Sequence, residues 1–273
     1  MIDSLSIDTF LKIGKQHSIC EDYIISGLDP VPYVILADGC SSSGLMKDCS
    51  TDLGSRLICY SAKQALKGLQ SAFQKKTLHY NLLAELTIGA VQHIPSMLGL
   101  STASLDATLL VAFIQEDFIF VYVYGDGNII SVKKDDTIIR FKLSYKGNAP
   151  DYLTYRIDAK RKALYEKLDN QKRIQRIDYV GKETVLQELN LVPAIFAFPV
   201  ADTKQVLIAS DGIESFLHTK CKLTTTEKVT KDLVAFKNSK GEFIQRRLKR
   251  MLKLYEQEGI YHYDDISVGG FSL

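Results

Sequence analysis

Four apolar runs rich in β-branched and aromatic residues follow one another closely: "ATLLVAFI" (107–114), "FIFVYVY" (118–124), "IISV" (129–132) and "TIIRF" (137–141). Nothing between them is long enough for a helix. Parallel neighbours need a crossover of a dozen or more residues, usually helical, so these strands pair antiparallel, as a meander. "YVILA" (33–37), "QVLIAS" (205–210) and "ISVGGFSL" (266–273) read as further strands. Helical periodicity lies elsewhere. Leu53, Leu57, Ile58, Ala62, Ala65, Leu66 and Leu69 follow a 3.6-residue repeat, and Ile244, Leu248, Met251, Leu252 and Tyr255 fall at i, i+4, i+7, i+8 and i+11. "NLLAELTIGAVQHI" (81–94) and part of 156–170 supply two more helices. The pattern predicts an α+β fold in which antiparallel β-sheets carry helices on their outer faces, not a doubly wound parallel sheet. No linker, repeat or low-complexity tract interrupts it, so residues 1–273 read as a single domain.

Composition narrows the function classes. At 46% hydrophobic and 24% charged, the chain can bury a sizeable core. A formal net charge of +2 gives no electrostatic reason for nucleic acid or a membrane as partner. The basic clusters "KRK" (160–162) and "RRLKR" (246–250) read as solvated helix faces, since the second interleaves with the apolar stripe above. Cys20, Cys40, Cys49, Cys59 and Cys221 are odd in number and lack CxxC spacing, which favours reduced thiols over disulfides or structural zinc. The N-terminus does not read as a signal peptide, and no apolar run approaches the roughly 20 residues that span a bilayer. The expected location is cytoplasmic.

Asp-Gly occurs three times, each time after an apolar run: Asp38-Gly39, Asp126-Gly127 and Asp211-Gly212. Between two strands Asp-Gly is a strong hairpin signal. The middle pair meets that condition and is expected to turn a hairpin. The outer two do not. "CSSSGLMKDCSTDLG" follows the first and "IESFLHTKCKL" the third, so these aspartates sit where a buried strand gives way to irregular chain. Asp264-Asp265 opens the last strand, and Glu21-Asp22 precedes a short apolar run.

If these ends converge, four or five carboxylates repel and some must take up protons. A divalent cation removes the conflict. Carboxylates with a backbone carbonyl and water suit Mg²⁺ or Mn²⁺, and no His/Cys cluster competes as a zinc site. A glycine after the aspartate lets its carbonyl approach the ion. Two ions about 3.5–4 Å apart lower the pKa of a water and hold a phosphoryl oxygen, which suits hydrolysis of a phosphate ester. On spacing alone, strand-end aspartates are more often caps and turns.

The ordered set is more specific than its members. Glu21-Asp22, "ADG" (37–39), "DATLLVAFI" (106–114), "VYGDG" (123–127), "ASDGIESF" (209–216) and "DDISVGGF" (264–271) occur in one order over nearly the whole chain. In this the chain resembles the metal-dependent protein serine/threonine phosphatases of the 2C type. The resemblance implies a four-layer αββα sandwich, two antiparallel β-sheets flanked by helices, with a two-metal centre at one end and a phosphorylated protein as substrate. It implies that Asp38 bridges two Mg²⁺ or Mn²⁺ ions, that the Gly39 carbonyl binds one and that Asp211 and Asp264 bind the other. Glu21 would bind through water and Asp22 would support the shell. The nucleophile would be a water, with no phospho-enzyme.

The departures bear on activity. The family's phosphate-gripping arginine is His17 here, which lacks a bidentate fork. The usual His or Met and Gly-Gly after DG are "CSSSG", in which Cys40 reads as a small filler rather than a proton donor. Asp106 replaces a glycine and reads as a turn cap. Asp126 keeps an acid that some members use for a third ion, but Ser215 replaces that ion's other ligand, which leaves the third ion in doubt. Residues 145–157, where the family carries a flap, read as a loop. An alternative follows from His17 and the missing Gly-Gly: a catalytically weak or inactive phosphatase-like regulatory or binding module.

Overall fold

The computed structural model describes residues 5–40, 47–69, 80–145, 148–167, 173–189, 193–219 and 223–273. The "SSSG" part of the Ser-rich segment, Gly147 and Cys221 lie outside these residues. One antiparallel sheet has seven strands in the spatial order β1 (Ser6–Lys12), β14 (Ile266–Ser272), β11 (Thr203–Ala209), β6 (Gly127–Lys133), β7 (Ile138–Tyr145), β8 (Arg173–Asp178) and β9 (Glu183–Leu189). The other has five: β10 (Ala194–Pro199), β5 (Phe118–Tyr124), β4 (Ala107–Gln115), β3 (Tyr33–Gly39) and β2 (Asp22–Gly27). A ribbon pairs β12 (Phe216–His218) with β13 (Ile260–His262).

Both sheets are buried on two faces, which is why their central strands read as unbroken apolar runs. Alternate residues of one strand enter different cores. On β3, Val34 and Leu36 point between the sheets and join Leu110, Val121, Ile129, Val206, Ile208 and Phe271. Ile35 and Ala37 point outward to α1 (Thr51–Gly68) and α2 (Tyr80–Val91), among them Ile58, Ala62, Leu66 and Leu83. On β11, Leu207 and Ala209 face α5 (Thr226–Val234) and α6 (Phe243–Gln257). The stripe of Ile244, Leu248, Met251, Leu252 and Tyr255 is the buried face of α6, each side chain contributing roughly 1.5–3 kcal/mol by leaving water. The four layers are therefore helix, sheet, sheet, helix, as the resemblance implied. Short α3 (Ile94–Met97) and α4 (Ala159–Tyr165) lie outside this scheme.

Two expectations are corrected. The four central strands are not one meander. β4 and β5 form a hairpin in the five-stranded sheet, while β6 and β7 form one in the seven-stranded sheet. Asp126-Gly127 therefore turns no hairpin, because it joins strands of different sheets. A two-residue hairpin of type I′ needs positive φ at both central residues. Here Gly125 (φ 96°) and Gly127 (φ 134°) carry it, on either side of Asp126, and swing the chain across the sandwich. β8 and β9 also escaped the sequence reading, since "RIQRID" and "ETVLQEL" intersperse charge with apolar residues.

Candidate functional site

Five acidic strand ends meet at one end of the sandwich. Asp22 and Asp38 are direct partners across β2 and β3, so their side chains share a face. That face continues Val34 and Leu36, and Asp38 emerges where the core between the sheets ends. β3 stops there because the Gly39 N–H turns to the Glu21 carbonyl (3.2 Å) and the Cys40 N–H to the Asp106 carbonyl (2.9 Å). A Cβ on Gly39 would lie 2.8 Å from Glu21 O and 3.0 Å from Thr51 O, so glycine is needed for this close approach. In the other sheet β11 and β14 are neighbours, with Ala209 opposite Val268. Asp211 follows β11 and Asp264 precedes β14, side by side. Asp126 arrives on the crossover from β5.

Burial and mutual repulsion dominate the electrostatics. Burial raises the Asp38 carboxyl well above the ordinary range, and Asp22, Asp211, Asp126 and Asp264 push it further. Burial raises Asp22 to about 7, with Asp265 adding and the Ser267 and Ser210 hydroxyls opposing. Among the described residues, Asp22 Oδ2 is buried without a hydrogen-bond partner. Burial raises Asp211 to about 6, helped by Asp264 and Glu214. Asp264 is raised as well, by burial first and by Asp265 and Glu21. Among the described residues no three His, Cys, Asp or Glu side chains are already drawn into ligating geometry. The chemistry of the set nevertheless fits a hard divalent cation: oxygen donors only, in excess negative charge, with one buried oxygen unsatisfied.

The flanking residues hold the acids in place. The Asp265 carboxylate is 2% exposed and accepts N–H bonds from Gly14 and Glu21, both at 2.7 Å. Ser215 Oγ accepts from the N–H groups of Tyr263 (3.2 Å) and Asp264 (3.1 Å) and donates to the Gly212 carbonyl (2.8 Å). The residue that replaces an acid thus ties the Asp211 turn to the Asp264 loop. His17 lies 3.5 Å from Asp264 and 3.1 Å from Asp265. Burial opposes its protonation, but the close approach and charge of Asp265, with Asp264 and Glu21, outweigh that and raise its pKa. The Glu21 carboxylate accepts from the Thr51 hydroxyl at the start of α1 and adds its charge to that of the acids around Asp264.

A cavity of about 210 Å³ opens beside the aspartates, lined by Asp126, Asp211 and Asp264 together with Lys142, Glu214 and Asn148. Lys142 pairs with Glu214, whose other oxygen takes Arg140 at 3.3 Å. Arg140 is buried and also reaches Asn128 (3.3 Å) and Asp178 (3.6 Å).

Sequence reasoning missed several of these residues. Asp126 was assigned to a hairpin, yet it joins the cluster; the glycines on both sides of it were the available signal. Asp106 is no mere cap. It is fully buried, accepts from Thr154 Oγ1 at 2.6 Å and pairs with both terminal nitrogens of Arg161. Arg161 comes from the "KRK" cluster, which is therefore not wholly a solvated face. Lys142 and Glu214 gave no pattern, since their partners lie 72 residues apart.

Residues 14–253 match the family model described as "Protein phosphatase 2C". No curated protein matches the chain. Solved structures with the same fold include a bacterial serine phosphatase (12% identity, TM-score 0.58, covering 98% of this chain and 97% of that one). The serine/threonine phosphatase of S. agalactiae is also similar (14%, 0.55, 98% and 99%), as is PstP/Ppp of Mycobacterium tuberculosis (12%, 0.52, 98% and 98%). Among the described residues no helix is long and apolar enough to cross a membrane.

Proposed function

Because the chain belongs to the protein phosphatase 2C family, we propose that it hydrolyses phosphoserine and phosphothreonine in proteins with Mg²⁺ or Mn²⁺. The observation that carries this reading is the convergence of Asp22, Asp38, Asp211 and Asp264, whose carboxyls are raised above the ordinary range by burial first and by acidic neighbours second. Such a cluster is unfavourable by itself and suited to cations.

Asp38, placed between the two sheets, would bridge two ions, with the Gly39 carbonyl on one and Asp211 and Asp264 on the other. Glu21 would act through water and Asp22 from behind the shell. Bound ions supply a water of lowered pKa and neutralise phosphoryl charge. The protein's own part is to fix the acids: Asp265 and Ser215 hold the Asp264 loop, and Gly39 lets β3 end against Glu21. His17, its pKa raised by its acidic neighbours, offers a charged N–H to a phosphate oxygen. With Ser215 Oγ engaged in three bonds, two ions rather than three are proposed.

One observation favours the second reading, a catalytically silent phosphatase-like binding module. Both ring nitrogens of His17 face carboxylates instead of open space. Hydrolysis of p-nitrophenyl phosphate and a phosphothreonine peptide with Mn²⁺ separates the two. Turnover that is lost with EDTA and in Asp38→Ala and Asp211→Ala supports the enzyme. Absence of turnover at millimolar Mn²⁺ supports the module.

A further inference from the structure

Residues 148–165 form a small unit at the rim of the cavity. Asn148 lines the cavity with Asp126, Asp211 and Asp264. Tyr152 stands close enough to Cys40, Asp126 and Asp38 for their charges to disfavour its ionisation, after burial. The unit packs on itself: Tyr155 stacks on Tyr165 at 4.7 Å, the Tyr165 hydroxyl donates to Ala149 O at 3.2 Å, and the Arg161 guanidinium lies 5.2 Å from the Tyr155 ring centre.

One side chain of the sandwich grips this unit at two points. Asp106 Oδ1 accepts from Thr154 Oγ1 (2.6 Å) and Arg161 Nη1 (3.0 Å), while Oδ2 accepts from Arg161 Nη2. The backbone of the same residue accepts the Cys40 N–H at 2.9 Å, and the next residue, Ala107, pairs with Gly39. Asp106 therefore joins the end of β3, which presents Asp38, to the unit that brings Asn148 to the cavity. A fork-on-carboxylate pair fixes direction as well as distance, which a lysine would not do.

We propose that Asp106, through Arg161 and Thr154, is a positioning residue for protein substrates: it sets the wall formed by residues 148–165 in register with the Asp38–Cys40 turn, where the chain flanking the phosphorylated residue must lie. The inference rests on the phosphatase reading above. On this proposal the clamp bears on a phosphopeptide, which extends past the phosphorylated residue, and not on a small aryl phosphate. Loss of the clamp raises KM for the peptide and leaves hydrolysis of the aryl phosphate near its original rate.

The test compares wild type with Arg161→Met, Arg161→Lys and the charge-balanced double variant Asp106→Asn/Arg161→Met, which avoids a buried unpaired carboxylate. Each is assayed with Mn²⁺ on p-nitrophenyl phosphate and on a phosphothreonine peptide, and hydrogen exchange is followed over residues 148–165. Expected are a peptide KM raised at least about fivefold, aryl phosphate kcat/KM changed less than about twofold, faster exchange in the segment, and Arg161→Lys falling between wild type and Arg161→Met. If folded variants lose both substrates in parallel, or keep both, the positioning role is overturned and the phosphatase reading stands. No turnover by wild type on either substrate overturns both.

Discussion

Asp22 and Asp38 face each other across β2 and β3, both largely or wholly out of water and both raised above the ordinary carboxylate range. Asp22 moves from an ordinary 3.8 to about 7, and Asp211 on the neighbouring sheet to about 6. Between those limits the native state binds more protons than the unfolded chain, so metal-free stability falls as pH rises. The metal-free protein is expected to lose several degrees of Tm between pH 5 and pH 8. Saturating Mn²⁺ is expected to flatten the curve. A metal-free Tm that is constant or rises over this range contradicts a self-repelling cluster.

Removing one charge should expose a conflict between stability and function. Asp38→Asn keeps the shape of the side chain and takes away the charge that Asp22, Asp211, Asp126 and Asp264 oppose. Without metal the variant is expected to melt above wild type. With metal the order is expected to reverse, because the ligand proposed to bridge the ions is gone, and activity to fall at least about a hundredfold. Calorimetry with and without Mn²⁺, alongside the aryl phosphate assay, reads both effects. A variant less stable than wild type in EDTA would show that Asp38 is held by something other than cations.

The layers of this fold were legible because hydrophobic period is a local signal. The run 33–37 and the stripe Ile244, Leu248, Met251, Leu252 and Tyr255 each read correctly from neighbours along the chain. Pairing of strands was less legible. β5 and β6 look like a hairpin until the two sheets are seen to exchange chain at Asp126, because each strand is apolar enough for either partner. The acids Asp38, Asp211 and Asp264 stand at strand ends that sequence order alone suggested. Their supports, Asp265 to Gly14 over 251 residues and Arg161 to Asp106 over 55, are long-range contacts between single polar residues that leave no periodic trace.

Ser215 offers a test of those supports. Its hydroxyl bonds the backbone on both sides of the junction between the Asp211 turn and the Asp264 loop. Ser215→Ala leaves the Asp264 N–H without its acceptor, while the Tyr263 N–H keeps the Ser215 carbonyl at 3.3 Å, a loss of about 1–3 kcal/mol in stability. The effect on Mn²⁺ affinity is expected to be about 10–100-fold, the range found when residues behind metal ligands are removed. Calorimetric titration of Mn²⁺ measures it. Unchanged affinity in a folded variant would mean that Asp264 is placed without Ser215.

Gly212 and Gly89 make a matched pair in which the same substitution should act with opposite sign. A Cβ built on Gly212 would lie 1.7 Å from the Asp265 carbonyl oxygen and 2.8 Å from its carbon, whereas one on Gly89 meets nothing within 4 Å among the described residues. Neither position requires a left-handed backbone, so space alone separates them. Gly212→Ala must push the Asp264–Asp265 loop from the Asp211 turn, at a cost of about 3 kcal/mol or more. Gly89→Ala lies within α2 and removes only the flexibility of glycine in a helix, a gain of about 0.5–1 kcal/mol. Urea unfolding of the metal-free proteins measures both. In the same samples Mn²⁺ binding should weaken for Gly212→Ala and stay at the wild-type level for Gly89→Ala. If Gly212→Ala bound Mn²⁺ as wild type does, the contact between the two loops would not be what holds Asp211 beside Asp264.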